Sequence, residues 1–137
     1  MSLPSKFQPA ERVLVVEDQD DVRRMLVTAL EMDGHEVDEA GNAHEGLKRL
    51  RAARYNLVLS DYAMPGGTGA WMLREATREG LLRGTVALIV TAHPEARELA
   101  SLDVIPKPLD IDDFLEQVRR ALFESRRQPR RPPQRHS

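Results

Sequence analysis

The chain is 137 residues long, 41% hydrophobic and 31% charged, the make-up of one ordinary globular domain with enough chain to bury a sizeable core. Its formal net charge of −2 is unevenly spread. Five arginines and no acid fall in residues 126–137, so residues 1–125 carry 15 basic against 22 acidic side chains, and this body repels a phosphate backbone. No cysteine means no disulfide framework and no thiolate metal site; with no signal-peptide pattern and no apolar run near the ~18 residues of a membrane span, a soluble cytoplasmic protein is the expectation.

Residues 1–11 hold two prolines and no periodicity, and read as a disordered lead-in. Val13-Leu14-Val15-Val16 is a buried-strand run ending in Glu17-Asp18. Val22, Met25, Leu26, Ala29 and Leu30 form the apolar stripe of a first helix, stopped at Asp33-Gly34, where glycine supplies a left-handed turn. Residues 35–40 alternate around Val37, a more polar strand suited to a sheet edge. Asn42 caps a second helix with Ala43, Gly46, Leu47 and Leu50 inward. Leu57-Val58-Leu59-Ser60-Asp61 is a strand running straight into the turn-forming Tyr62-Ala63-Met64-Pro65-Gly66-Gly67-Thr68-Gly69, after which a third helix spans about residues 70–79 with Leu73 and Ala76 inward. Val86-Ala87-Leu88-Ile89-Val90 is the longest apolar run and stops at Thr91-Ala92-His93-Pro94. Val104-Ile105 is a last short strand before Pro106-Lys107-Pro108. Asp110 caps a helix carrying Ile111, Phe114, Leu115, Val118 and Leu122 at helical spacing, and residues 125–137 are expected as a disordered Arg/Pro-rich tail.

Strand and helix alternate with connections that suit only parallel pairing, which predicts a doubly wound α/β domain over residues 12–124, with right-handed crossovers. In such a sheet the strand ends share one rim, so Glu17, Asp18, Asp61, Thr91 and Lys107 converge there. Three carboxylates in one crevice raise each other's pKa unless a cation compensates. Oxygen-only ligands select a hard ion, and a phosphate-handling site selects Mg2+, with Glu17, Asp18, Asp61 and the Ala63 carbonyl as its protein ligands. Asp61 is then placed as nucleophile for a phosphoryl group, with Thr91 and Lys107 as its clamp.

The ordered set of acid pair, acceptor Asp, Thr-Ala and Lys-Pro resembles the receiver domain of two-component response regulators. The likeness runs over about residues 12–124. It implies a flavodoxin-like, five-stranded parallel sheet of order 2-1-3-4-5. It further implies a signalling receiver rather than a turnover enzyme: phosphoryl transfer from a sensor histidine kinase or histidine phosphotransfer protein onto Asp61 with Mg2+, self-catalysed phosphorylation and dephosphorylation, and a switch in protein–protein contacts. A homodimer is compatible with that reading. The family's Lys-Pro bond is often cis, which makes Lys107-Pro108 a candidate.

Three departures stand out. Only 15 residues, 92–106, separate Thr91 from Lys107, which limits the fourth helix to about two turns, with residues 95–100 as its remnant. Val104 stands where many relatives carry Tyr or Phe, and valine has no swing comparable to that of the aromatic ring; the short segment between Thr91 and Lys107 resembles receivers attached to sensor kinases more than those fused to DNA-binding domains. Ala63 and His93 match positions that in the family set the rate of acyl-phosphate hydrolysis, and Ala63 cannot hydrogen-bond an attacking water.

The glycines at 66, 67 and 69 lack the lysine of a nucleotide loop and read as a turn into the third helix. Trp71 reads as a half-exposed helix residue, and His35, His44 and His136 as solvated. An aspartyl-nucleophile phosphatase of the haloacid-dehalogenase type is the alternative function; it wants an acid two residues after the nucleophile, where this chain has Ala63. No helix-turn-helix segment supports a DNA binder. With no effector domain in the sequence after residue 125, output is expected through protein contacts.

Overall fold

Runs of Val, Leu and Ile that are apolar on both faces need cover on both faces, and the chain supplies it by placing helices above and below one sheet. A computed structural model describes residues 11–127. In chain order these are β1 (Arg12–Val16), α1 (Asp20–Met32), β2 (Glu36–Ala40), α2 (Ala43–Ala52), β3 (Leu57–Asp61), α3 (Gly69–Arg78), β4 (Val86–Thr91), a 3-10 turn (Arg97–Leu99), β5 (Asp103–Pro106) and α4 (Ile111–Arg127). The five strands are parallel in the order β2-β1-β3-β4-β5, as the sequence predicts.

Two apolar layers result. Leu14, Val16, Val58 and Ile89 point to the side covered by α2 and α3, while Val13, Val15, Leu57, Leu59 and Val90 point to the side covered by α1 and α4. The alternation along each strand is the ordinary period of two. Phe114, Val118 and Leu122 anchor α4 on the second layer, and Asp110 caps it by accepting from Asp113 N at 3.0 Å. Asn42 and Thr68 cap α2 and α3 in the same way, through Glu45 N and Trp71 N. Gly34 turns the chain out of α1 at φ +95°, as expected.

Several expectations need correction. Met25 is 43% exposed, and Val27 is buried in its place. At about 100° per residue the buried stripe centres between Leu26 and Leu30, so Val27 falls inside it and Met25 outside. The expected fourth helix is a single 3-10 turn, shorter than the two turns the spacing allows. The lead-in and tail boundaries also shift. Glu11 is 6% exposed, its carbonyl accepts from Glu36 N, and its carboxylate pairs with Arg126. The last helix accordingly runs on through Arg127, two residues past Ser125, where the tail was expected to start. The rest of the lead-in and of the tail, with His136, lies outside the described residues. His35, expected to be solvated, packs beneath α4 with its side chain 9% exposed.

Candidate functional site at the carboxyl rim of the sheet

Register brings the site together. Val16 pairs with Ser60, Asp61 with Val90, and Thr91 with Pro106. Glu17 therefore leaves β1 level with Asp61, Thr91 ends β4 one step beyond, and Lys107 follows β5 on the same rim. The Lys107 amide donates to the Thr91 carbonyl at 2.8 Å, which ties the last two together. The Lys107-Pro108 bond is cis.

One carboxylate oxygen from each of Glu17, Asp18 and Asp61 lies within 4.8 Å of the others. Glu17 is 2% exposed, and its Oε2 accepts from Gln19 N at 3.1 Å. Asp61 is 11% exposed, and its Oδ1 accepts from Tyr62 N at 2.9 Å. Lys107 Nζ stands 3.4 Å from Asp61 Oδ1 and 3.7 Å from Glu17 Oε1. Burial pushes the Glu17 carboxyl above the usual carboxylate range against the Gln19 amide, and the nearby Asp61 adds to the rise. Burial raises Asp61 too, while the Lys107 ammonium pulls it down. Burial is thus the leading cause of both shifts, with the neighbouring acids adding to the rise and Lys107 opposing it.

Thr91 is 2% exposed, and its Oγ1 accepts from His93 N at 2.9 Å. Ala63 is exposed in the loop after β3, and His93 is exposed beside Glu95, 3.8 Å away. Trp71 is half-buried, as expected, with its ring 4.8 Å from that of His44. His44 is exposed and meets the Gly66 carbonyl at 3.2 Å.

Two supporting residues escape a sequence reading. Arg23 donates to the Glu17 carbonyl at 2.7 Å, to Glu39 at 3.0 Å and to Asp20 at 2.6 Å, which pins the β1–α1 loop that carries the acid pair. Gly69 backs directly onto β3: a Cβ there would stand 2.3 Å from the Asp61 carbonyl oxygen and 2.7 Å from Ser60 Oγ. The only sequence signal was an arginine one turn into a helix that follows two acids, and a glycine at a helix start.

The donor set suits a hard cation. All three groups offer only oxygen, the ligand type a hard ion takes, and one oxygen from each lies within 4.8 Å of the others.

A doubly wound sheet that gathers three acids and a lysine at its switch-point rim defines an α/β domain with its polar crevice where such folds place their ligands. The family model of the response regulator receiver domain matches residues 13–119. The regulatory protein AtoC of Escherichia coli (strain K12) is 35% identical over 115 residues, 81% of this chain and 25% of AtoC. The receiver domain of the hybrid histidine kinase CckA is 31% identical with a TM-score of 0.71, covering 81% of this chain and 98% of that one. TrrA of Thermotoga maritima, solved in complex with Mg2+-BeF, is 27% identical with a TM-score of 0.73, over 81% and 98%. The chain belongs to the response regulator receiver family and has its flavodoxin-like fold. It is a two-component receiver domain, and the phosphatase alternative finds no support. It spans between a quarter and about half of the length of several curated relatives that it matches. No described helix is long and apolar enough to cross a membrane.

Proposed function

We propose that Asp61 accepts a phosphoryl group from the phosphohistidine of a sensor histidine kinase or histidine phosphotransfer protein, in the cytoplasm, and that the product changes protein–protein contacts. The observation that carries this reading is the placing of Lys107 3.4 Å from Asp61, with Glu17 and Asp18 beside them.

Lys107 and the Tyr62 amide both face Asp61 Oδ1, which leaves Oδ2 as the attacking atom. The new P–O bond forms at Oδ2 as the P–N bond to the donor breaks; the imidazole nitrogen takes the electron pair. Lys107 balances charge on the transferring oxygens, and the Thr91 hydroxyl donates to one of them. Glu17, Asp18, Asp61 and the Ala63 carbonyl would hold Mg2+, which would supply neutralisation of the negative charge gathered at the site. Arg23 keeps the loop of the acid pair in place. The likeness to the CckA receiver, which comes from a hybrid histidine kinase, and the reduced fourth helix support a kinase-linked relay.

The test is incubation with phosphoramidate and Mg2+ followed by intact mass. Wild type gains one phosphoryl group and Asp61→Asn gains none. A gain that persists in the variant moves the acceptor elsewhere and overturns the reading.

A further inference from the structure

Tyr62 is anchored at both ends. Its amide donates to Asp61 Oδ1 at 2.9 Å. Its half-buried ring packs against the layer under α3, and its hydroxyl donates to Glu98 Oε1. Glu98 belongs to the 3-10 turn, and its other oxygen takes Arg74 of α3 at 3.4 Å. Leu99, the next residue, is 2% exposed and seats the turn in the core. A second tether holds the same stretch at its start, where Thr91 Oγ1 accepts from His93 N. Both tethers begin on residues that border the Asp61 carboxylate or the phosphoryl group it receives.

We propose that Tyr62 is a positioning residue that couples the state of Asp61 to residues 93–102: its bond to Glu98 holds this segment down while Asp61 is a bare carboxylate and is given up on phosphoryl transfer. The proposal rests on Asp61 being the acceptor. Once Oδ2 is bonded to phosphorus, Oδ1 becomes a neutral carbonyl oxygen. The Tyr62 N–H then loses a charge-assisted bond. The phosphoryl oxygens, which bring a charge of about −1.5 to −2, become the stronger acceptors beside it. They also draw the Thr91 hydroxyl, the atom to which His93 is tied. The Tyr62 peptide follows the new acceptor, and its ring cannot move with it and keep Glu98. Glu98 retains only Arg74, an exposed pair of little strength. The segment so released is the face a partner protein reads in one state and not the other. Val104 beside it is a half-buried aliphatic side chain with no polar group to take over this role.

Amide hydrogen exchange over 93–102 tests this on the full chain, with and without beryllium fluoride and Mg2+. In wild type the additions speed exchange there. Tyr62→Phe and Glu98→Ala exchange faster without any addition, by about two- to tenfold, the equilibrium worth of one solvent-exposed hydrogen bond. The double variant is no faster than either single one, because both remove the same bond. Glu98→Gln, which keeps an acceptor oxygen, stays close to wild type and separates loss of the bond from general loosening. Wild-type exchange in Tyr62→Phe and Glu98→Ala overturns the proposal. So does a phosphoryl group gained by mass with no change in 93–102, and in that case the acceptor reading stands. No gain in mass on phosphoramidate overturns the acceptor reading and the coupling with it.

Discussion

Lys107 Nζ stands 3.4 Å from Asp61 Oδ1, and the two are 46 residues apart in sequence. The ammonium is 27% exposed while Asp61 is 11% exposed, so the pair sits at the mouth of the crevice and is only partly screened by water. Lys107→Ala removes the one positive side chain within reach of both Asp61 and Glu17 among the described residues. Phosphoryl uptake from phosphoramidate is expected to slow by about 10²- to 10³-fold, the usual loss when a single preorganised donor to a developing anion is deleted. Time-resolved intact mass measures it. An unchanged rate removes Lys107 from the clamp.

Mg2+ is expected to stabilise the fold and to do so through the acid pair. A ligand that binds only the native state at a hundred times its Kd adds about 2.7 kcal/mol. Thermal unfolding of wild type should therefore shift upward with Mg2+, and Asp18→Asn should shift far less. Without Mg2+ the order reverses or closes, because the variant carries one fewer charge in a crevice where burial and mutual repulsion already raise Glu17 and Asp61. Equal Mg2+ shifts in the two proteins place the ion elsewhere.

The sheet was legible because buried parallel strands are written as apolar runs, and the rim was legible because each run ends in a polar residue that the topology sends the same way. Glu17, Asp18, Asp61, Thr91 and Lys107 could be named on that ground alone. What escaped depends on contacts between distant segments. The clasp between Glu11 and Arg126 joins residues 115 apart and extends the last helix past Ser125; nothing local in an Arg-rich stretch announces it. Met25 and Val27 traded places because periodicity fixes the stripe's width and only packing against β1, β2 and α4 fixes its centre. The tie from Tyr62 to Glu98 spans 36 residues and lands on the 3-10 turn that stands where a fourth helix was expected.

Gly69→Ala tests the close approach behind the acceptor strand. A methyl group there meets the Asp61 carbonyl oxygen at 2.3 Å, a distance that only backbone movement relieves, and the Gly69 amide would carry its 2.9 Å bond to the Tyr62 carbonyl with it. The expected cost is about 1–3 kcal/mol, the usual range for overpacking, with slower phosphoryl uptake because the loop that follows Asp61 shifts. Gly41→Ala is the control. Its methyl meets nothing closer than 3.7 Å, and its stability should stay within about 0.5 kcal/mol of wild type. Urea midpoints for the two variants decide the matter; equal midpoints mean the strand yields without penalty.

His35 gives the protein an acid-side weakness. Both ring nitrogens are buried without a hydrogen-bond partner, and the side chain is 9% exposed. Burial lowers its pKa, with Asp33 at 3.8 Å opposing and Arg119 reinforcing the drop. Asp33 itself is taken by Arg119 through bonds of 2.9 and 2.6 Å, so it is poorly placed to receive a charged imidazole. Glu11, Glu116, Arg120 and Arg126 line the same cleft, with Glu11 paired to Arg126 and Glu116 to Arg120. Between the lowered native value and the unfolded value of about 6.5, the unfolded chain holds a proton that the native chain does not. Stability therefore rises with pH across that window, is complete above about 6.5, and is lost as the pH falls toward the native value. His35→Phe keeps the buried ring and removes the proton site. Urea midpoints measured at several pH values from 7.5 down to 5 should fall in wild type and fall less in the variant. An equal fall in both proteins would assign the slope to the acids around the cleft instead.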